Sequence, residues 1–538
     1  MSLPPFSFAG FTSLYFIPFF LLTLVLYYLT KKKYRYITLL VCSLAFYGRI
    51  SWKSLFFIAS TIVSMYFFAR AISSNLKRQK EYLQANKEAR PREEKKAYKE
   101  KEKKKRKRFL ILGIVFNLAL LAIRKYRNFF ILNLNGIIHW FNKDVTIGSL
   151  DLFLPLGISF YVFQAIGYLV DVYWQKIEAE ENFLKFALFL CYFPKVMQGP
   201  IVRYGERKDA LFGEHDFDYT TFTDGLKRAL YGYRKKLVIA DTLLGFIRFG
   251  FGNPEVLSGL EARLVVVFYF IQDYCDFSGY RDIAIGLSNT RGIKLPENFN
   301  HPYFAIGIDD YWRRWHSTLG SWFKDYLFYP LSLSRFSLKL GKAGKKLFKN
   351  FGKKVPAVFG LTVVWFRTGL WHGASWNYVL WGLYYGFIII LSVCFQPLIG
   401  KFYEKSKLKD NPFWIAFQHI RTLFLLAIGK ILFRAPSLKD AYTLFIKCFS
   451  YSPSYCSITN LNNQLGYISR IAALALSLAV LIVDIIQEKK PDTSLLAKLN
   501  RKPLALQWSL LILLVVSVVW FGFYGSGLPH YDFGYIQF

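Results

Sequence analysis

The chain of 538 residues is 54% hydrophobic and 19% aromatic, with a mean hydropathy of +0.24. Its formal net charge of +35 is gathered in loops between long apolar runs, which excludes a nucleic-acid binder and a protein built of polar-surfaced soluble domains. The class left is an all-α polytopic membrane protein with about 10–13 helices, re-entrant and interfacial ones included.

The first apolar run, 11–30, lacks a basic leading segment and is longer than the apolar core of a signal peptide. Lys31, Lys32 and Lys33 follow it at once, so it reads as an anchor whose N-terminus lies outside. The run 37–48 returns outward and 53–70 comes back to the densest basic stretch, 77–108. That stretch reads as a cytoplasmic helical or disordered hairpin held near anionic lipid. Further apolar runs fall at 109–123, 152–174, 261–287, 376–395, 467–484 and 506–524. The runs 182–201 and 356–371 are shorter or interrupted by Pro and Gly, which predicts re-entrant or broken helices. No internal repeat is visible. One membrane domain, 1–538, is therefore expected: N-terminal helices to 125, a core at 150–400 holding most intramembrane polar residues, and C-terminal helices at 410–538. No Lys or Arg follows the last run, which puts the C-terminus outside as well. The six cysteines lack zinc-ligand spacing; Cys448 and Cys456 fall in one polar connection where a disulfide is open.

Two histidines stand out, whereas His139, His215, His419 and His530 have solvated or interfacial surroundings. His372 sits in Thr368-Gly-Leu-Trp-His-Gly-Ala-Ser-Trp-Asn377, 18 residues beyond the acid-free basic segment that ends at Lys354. That is roughly 27 Å of helix at about 1.5 Å per residue. An imidazole so far into a bilayer is costly, and a functional assignment is the default. Trp365, Trp371, Trp376 and Trp381 are expected to line an apolar pocket that keeps it uncharged and thus a competent base. Gly369, Gly373 and Gly382 allow close approach of backbone or an acyl chain. His316 follows Asp309-Asp-Tyr-Trp-Arg-Arg-Trp315. Read as a continuous helix, the segment puts Trp312, Trp315, His316 and Leu319 on one face, with Arg313, Arg314 and Lys324 in the polar remainder. An interfacial helix with no catalytic part fits the same pattern. In Asp273-Tyr-Cys-Asp-Phe-Ser-Gly-Tyr-Arg-Asp282, three carboxylates share an apolar run with Arg281, which is expected to neutralise Asp276, Asp282 or a neighbour. The role is structural first and substrate binding second.

Further segments are Leu154-Pro-Leu-Gly-Ile-Ser-Phe-Tyr-Val-Phe-Gln164, Gly167-Tyr-Leu-Val-Asp-Val-Tyr173, Phe193-Pro-Lys-Val-Met-Gln-Gly-Pro-Ile-Val-Arg-Tyr204 and Leu295-Pro-Glu-Asn-Phe299. With Tyr311–His316, Leu370–Trp376 and the terminal Tyr-Ile-Gln-Phe, they make the chain resemble the bacterial membrane-bound O-acyltransferase superfamily over essentially its whole length. The alginate O-acetyltransferase-like branch is the most similar. The resemblance implies a funnel-shaped helical fold in which His372, deep in the membrane, mediates acyl transfer and His316 is the second family histidine. The Asn–His pair of many eukaryotic relatives is not matched; His316 stands at its first place. The resemblance implies acetyl-CoA or another acyl donor as substrate, with no permanently bound cofactor and no metal. The acyl group would pass from the cytoplasm toward an extracytoplasmic polysaccharide, through a partner acyltransferase, in a bacterial cytoplasmic membrane. Membrane lipid is a partner and nucleic acid is not. Substrate-binding candidates are Trp312, Arg313, Trp315, Trp371, Trp376 and Asn377, with Asp276, Arg281 and Gln198. His316 is expected to position the donor or acyl group and His372 to carry out the transfer, both facing one tunnel. D-alanyl transferases of teichoic acid share both histidine motifs, but Gly157–Phe160, Val170–Tyr173 and the longer C-terminal helices favour acetyl transfer. A transporter or polysaccharide-export channel is the alternative of another class, and the paired repeats it tends to show are not found.

Overall fold

Helix-forming side chains and the absence of alternating strand patterns have their expected outcome. The computed structural model describes residues 10–150, 153–406, 408–451, 467–489 and 495–522, and among these no strand forms. Four helices are long and apolar enough to cross a membrane: α1 (Trp52–Ala85), α7 (Trp376–Ser406), α8 (Pro412–Arg434) and Leu504–Phe521. A bent pair, α2 (Arg92–Lys125) with Arg127–Phe141, supplies another apolar length across a 67° break. The chain divides into two compact units: residues 1–222 with 287–295, and residues 223–286 with 296–538. Cys456 and the segment after residue 522 lie outside the described residues, and with them the possible Cys448–Cys456 disulfide and the C-terminal ending.

In the first unit the basic stretch 77–108 is not a loop. Its Lys, Arg and Glu residues are good helix formers, so α1 and α2 continue through it and meet only at a turn before Pro91. Arg106 is buried between them and donates to Oδ1 of Asn75 (2.8 Å) and Oε1 of Gln79 (3.0 Å). Tyr82 and Tyr98 add a ring pair with centroids 4.0 Å apart. The run 182–201 is broken as its Pro and Gly predict, into Phe183–Cys191 and Phe193–Val196.

In the second unit 356–371 departs from that expectation. It forms one unbroken helix, α6 (Val355–His372), because Pro356 falls in the first turn, where a missing N–H costs nothing. Helix α6 packs closely on α7. A Cβ added to Gly382 would lie 2.9 Å from the Gly369 nitrogen and would strike the Trp365 carbonyl oxygen. The two glycines thus admit backbone against backbone, rather than an acyl chain. Around this crossing lies an aromatic core that includes Tyr269, Trp315, Trp365, Trp381, Tyr385 and Phe433. Helix α3 (Gly259–Asn289) carries Asp273, Asp276 and Arg281 through that unit.

Candidate active site

The segment around His316 is not one helix. Helix α4 (Ile308–Arg314) ends, Trp315 turns extended, and His316 adopts φ 48° and ψ 47° before α5 (Ser317–Phe323) starts. A left-handed conformation is unfavourable for a non-glycine residue and persists only where neighbours enforce it. Here the preceding chain does so. Phe299 bridges Trp315, Asn300 N–H donates to the Arg314 carbonyl (3.0 Å), and Ser317 N–H donates to the Asn298 carbonyl (3.0 Å). The expectation of a single amphipathic helix therefore fails, because a non-local backbone pairing overrides the local period.

His372 is the last residue of α6, and the chain leaves it through an extended Gly373. Its ring packs edge-on against Trp371, Trp381 and Phe433, with centroids at 4.8, 4.6 and 5.1 Å. His316 packs against Phe277 at 4.9 Å and Trp371 at 6.0 Å, so the Trp371 indole touches both imidazoles. Both histidines are nearly sealed, at 2% and 4% exposure. They line one cavity of about 380 Å³ whose other walls include Trp312, Val364, Trp365 and Thr368. Asp309, Arg313 and Lys324 bring charge to the same cavity. Such a space is large enough to hold an acyl group beside the two imidazoles.

The remaining candidates divide. Trp312, Arg313 and Trp315 line the cavity, and Trp371 packs behind both histidines. Trp376 does not line it and is 55% exposed, at the start of α7. Asn377 is buried and its side-chain N–H donates to the Ala435 carbonyl (2.8 Å), tying the start of α7 to the end of α8. Gln198 is buried in the first unit, just beyond Phe193–Val196. Lysines meet Asp276 and Asp282 of α3. Lys236 bridges Asp276 (2.6 Å) and Asp241 (2.8 Å), and Lys235 holds Asp282 at 2.8 Å with Arg228 at 3.1 Å. Arg281, the expected counter-ion, lies with its guanidinium 4.8 Å over the Phe277 ring. The reason is placement: Lys235 and Lys236 sit in a π-helical segment, Arg234–Ala240, against which α3 packs.

The parts played by two residues, Asn298 and Lys430, escaped the sequence. Asn298 contacts His316 with its side chain, Asp273 pairs with Lys430 at 2.5 Å, and that lysine lies 4.9 Å over the Trp315 ring. A lysine inside an apolar run must find an anion, and that signal was present at Lys235, Lys236 and Lys430.

Residues 178–433 match the MBOAT, membrane-bound O-acyltransferase, family. The chain is 32% identical to a probable alginate O-acetylase of Pseudomonas aeruginosa over 469 residues, covering 87% of this chain and 78% of that protein. It is 34% identical to a peptidoglycan O-acetyltransferase of Helicobacter pylori, over 62% of this chain and 63% of that protein. A teichoic acid D-alanyltransferase of Bacillus subtilis is 29% identical over 51% of this chain and 65% of its own length.

Proposed function

The chain belongs to the membrane-bound O-acyltransferase family and is a membrane acyltransferase, and on that premise we propose that it O-acetylates an extracytoplasmic polysaccharide or peptidoglycan. The acetyl group comes from a cytoplasmic donor, acetyl-CoA or another acyl thioester, and crosses the membrane through this protein to a partner acyltransferase outside. The observation that carries the reading is the single cavity lined by His316 and His372 within the residues that match the family.

In that space His372 takes the proton of an attacking hydroxyl. The hydroxyl oxygen forms the ester bond to the acyl carbon, the thioester bond breaks, and the departing thiolate receives the proton. His316 holds the acyl group in place. Arg313 and Lys324 supply positive charge toward a donor that carries phosphates. Acetyl is favoured over D-alanyl because similarity to a named O-acetylase runs over 87% of the chain, against 51% for the D-alanyltransferase.

The test is chemical analysis of surface glycans from cells with the protein, without it, and with His372→Ala at equal membrane abundance. O-acetyl esters should disappear in the last two. Loss of D-alanyl esters with acetyl unchanged would replace the acyl group in this reading. No change in any ester would overturn it.

A further inference from the structure

The contact between Asn298 and His316 fixes more than position. Asn298 is 1% exposed, and its side-chain oxygen accepts from Thr318 N–H (3.0 Å) and from the Thr318 hydroxyl (2.7 Å). A backbone N–H can only donate, so the amide atom facing it is the oxygen, and the nitrogen is turned the other way. That nitrogen lies 3.1 Å from Nδ1 of His316, with the oxygen 3.2 Å from the same ring atom. The two Thr318 donors take up the oxygen's acceptor capacity, which leaves the amide N–H to donate to Nδ1. A neutral imidazole that accepts at Nδ1 carries its proton at Nε2.

Resting on the acyltransferase reading above, we propose that Asn298 is a positioning residue that holds His316 as the neutral Nε2–H tautomer, so that His316 meets the acyl group as a hydrogen-bond donor to its carbonyl oxygen. Attack on an acyl carbon builds negative charge on that oxygen, and a fixed donor aimed there lowers the barrier. An imidazole that already holds its proton at Nε2 does not take one there, so the base is left to His372. The two family histidines then differ in kind. The charged and titratable groups near His316 are Arg281 from α3 and His372 from α6, with Asp309, Arg313 and Lys324 on the shared cavity. A cation beside a buried imidazole opposes a further positive charge, which is consistent with a neutral donor.

The direct test is solid-state NMR of the full-length chain in bilayers, labelled with nitrogen-15 histidine, with His316→Gln identifying the His316 signals. At neutral pH Nε2 should be protonated, and Nδ1 unprotonated and hydrogen-bonded. Protonation at Nδ1 in the wild type overturns the proposal. The functional arm is Asn298→Asp, which keeps an acceptor for Thr318 but turns a second carboxylate oxygen toward Nδ1. That change draws the proton to Nδ1 and favours the imidazolium. The neutral ring then lacks the Nε2 proton and only the imidazolium still carries it, so acyl transfer should fall by about tenfold or more on the alkaline side, giving the pH–rate profile a basic limb that the wild type lacks. A merely structural Asn298 would lower abundance and leave the profile in place, and that result also overturns the proposal. Should Asn298→Asp fail to accumulate, the tautomer of the wild type decides. Failure of the acyltransferase reading is recognised separately, as a wild type that transfers nothing while its His316 tautomer stands.

Discussion

Lys235 and Lys236 meet Asp282, Asp276 and Asp241 in the second unit at 2.6–2.8 Å, with Lys236 shared by two carboxylates and Arg228 also on Asp282 at 3.1 Å. In the same unit His316 and His372 are just as deeply buried but lie among aromatic rings and face a cavity of about 380 Å³. The first cluster contains full charges, and burial is tolerable only because every one has a partner. The second contains side chains that can be uncharged at neutral pH, so they can be buried beside open space. Paired charge holds the packing of α3 against the lysine-bearing segment. The imidazoles keep a face toward a cavity. Burial and polarity alone do not separate the two clusters; the adjoining volume does.

The sharpest way to break that comparison is His372→Ala. Transfer should fall by roughly 10²–10⁴, the range for loss of a general base, while membrane abundance holds. His372→Gln keeps more of the volume between Trp371, Trp381 and Phe433 and should be equally inactive. Undiminished acylation in either variant removes His372 from the chemistry.

The other cluster should respond in the opposite sense. Lys236→Met leaves Asp241 and Asp276 buried without their shared cation, which typically costs about 3–5 kcal/mol. Lower abundance and a lower unfolding temperature are expected, and molecules that do fold should keep most of their turnover. The triple replacement Lys236→Met, Asp241→Leu, Asp276→Leu should recover much of the loss, because it removes the charges together. A stable but inactive Lys236→Met would move this cluster into the catalytic machinery.

Arg313 tests the edge of the comparison. It is charged and lines the cavity, yet its own side chain is largely exposed where it pairs with Asp309 (3.2 Å) and Asp310 (3.4 Å). Such pairs contribute about 0–1 kcal/mol, so Arg313→Gln should leave the unfolding temperature nearly unchanged. A several-fold rise in KM for the acyl donor at unchanged kcat is the expected kinetic effect. An unchanged KM would take Arg313 out of donor binding.

What was legible in the sequence follows from range. His372 announces itself because a titratable residue inside an apolar run is rare, and no distant partner is needed to see it. The partners of Asp276 and Asp282 were hidden, because their lysines stand 40 and 47 residues earlier and Arg281 is adjacent in sequence. The break at His316 was hidden for a similar reason. Residues 312, 315, 316 and 319 carry a good helical period, while the Phe299–Trp315 bridge that interrupts it is a pairing across the chain. Asn298 stood within a recognised motif, but its tautomer-setting contact depends on that break. Composition marked the basic stretch 77–108 as a hairpin and left helix and disorder open, because the buried Arg106 that orders it depends on contacts across the hairpin.

The smallest effect is expected at Trp376, and it sharpens the distinction between a tryptophan of the site and one that is merely near it in sequence. Trp371 and Trp376 were both expected to line a pocket around His372. Trp371 is 4% exposed and touches both imidazole rings; Trp376 is 55% exposed and does not line the cavity. Trp371→Ala removes a buried indole from between the histidines, a change that commonly costs about 3–5 kcal/mol and here also displaces both rings. Trp376→Ala removes a ring from an outer position at the first turn of α7, where substitutions usually stay within about 0.5 kcal/mol. Its transfer rate should remain within about twofold of wild type, and its unfolding temperature should be nearly unchanged. Measuring both variants side by side at matched membrane abundance decides the matter. A loss of transfer in Trp376→Ala comparable to that in Trp371→Ala would mean that the working cavity extends past the start of α7, and that the boundary drawn between packing and site is misplaced.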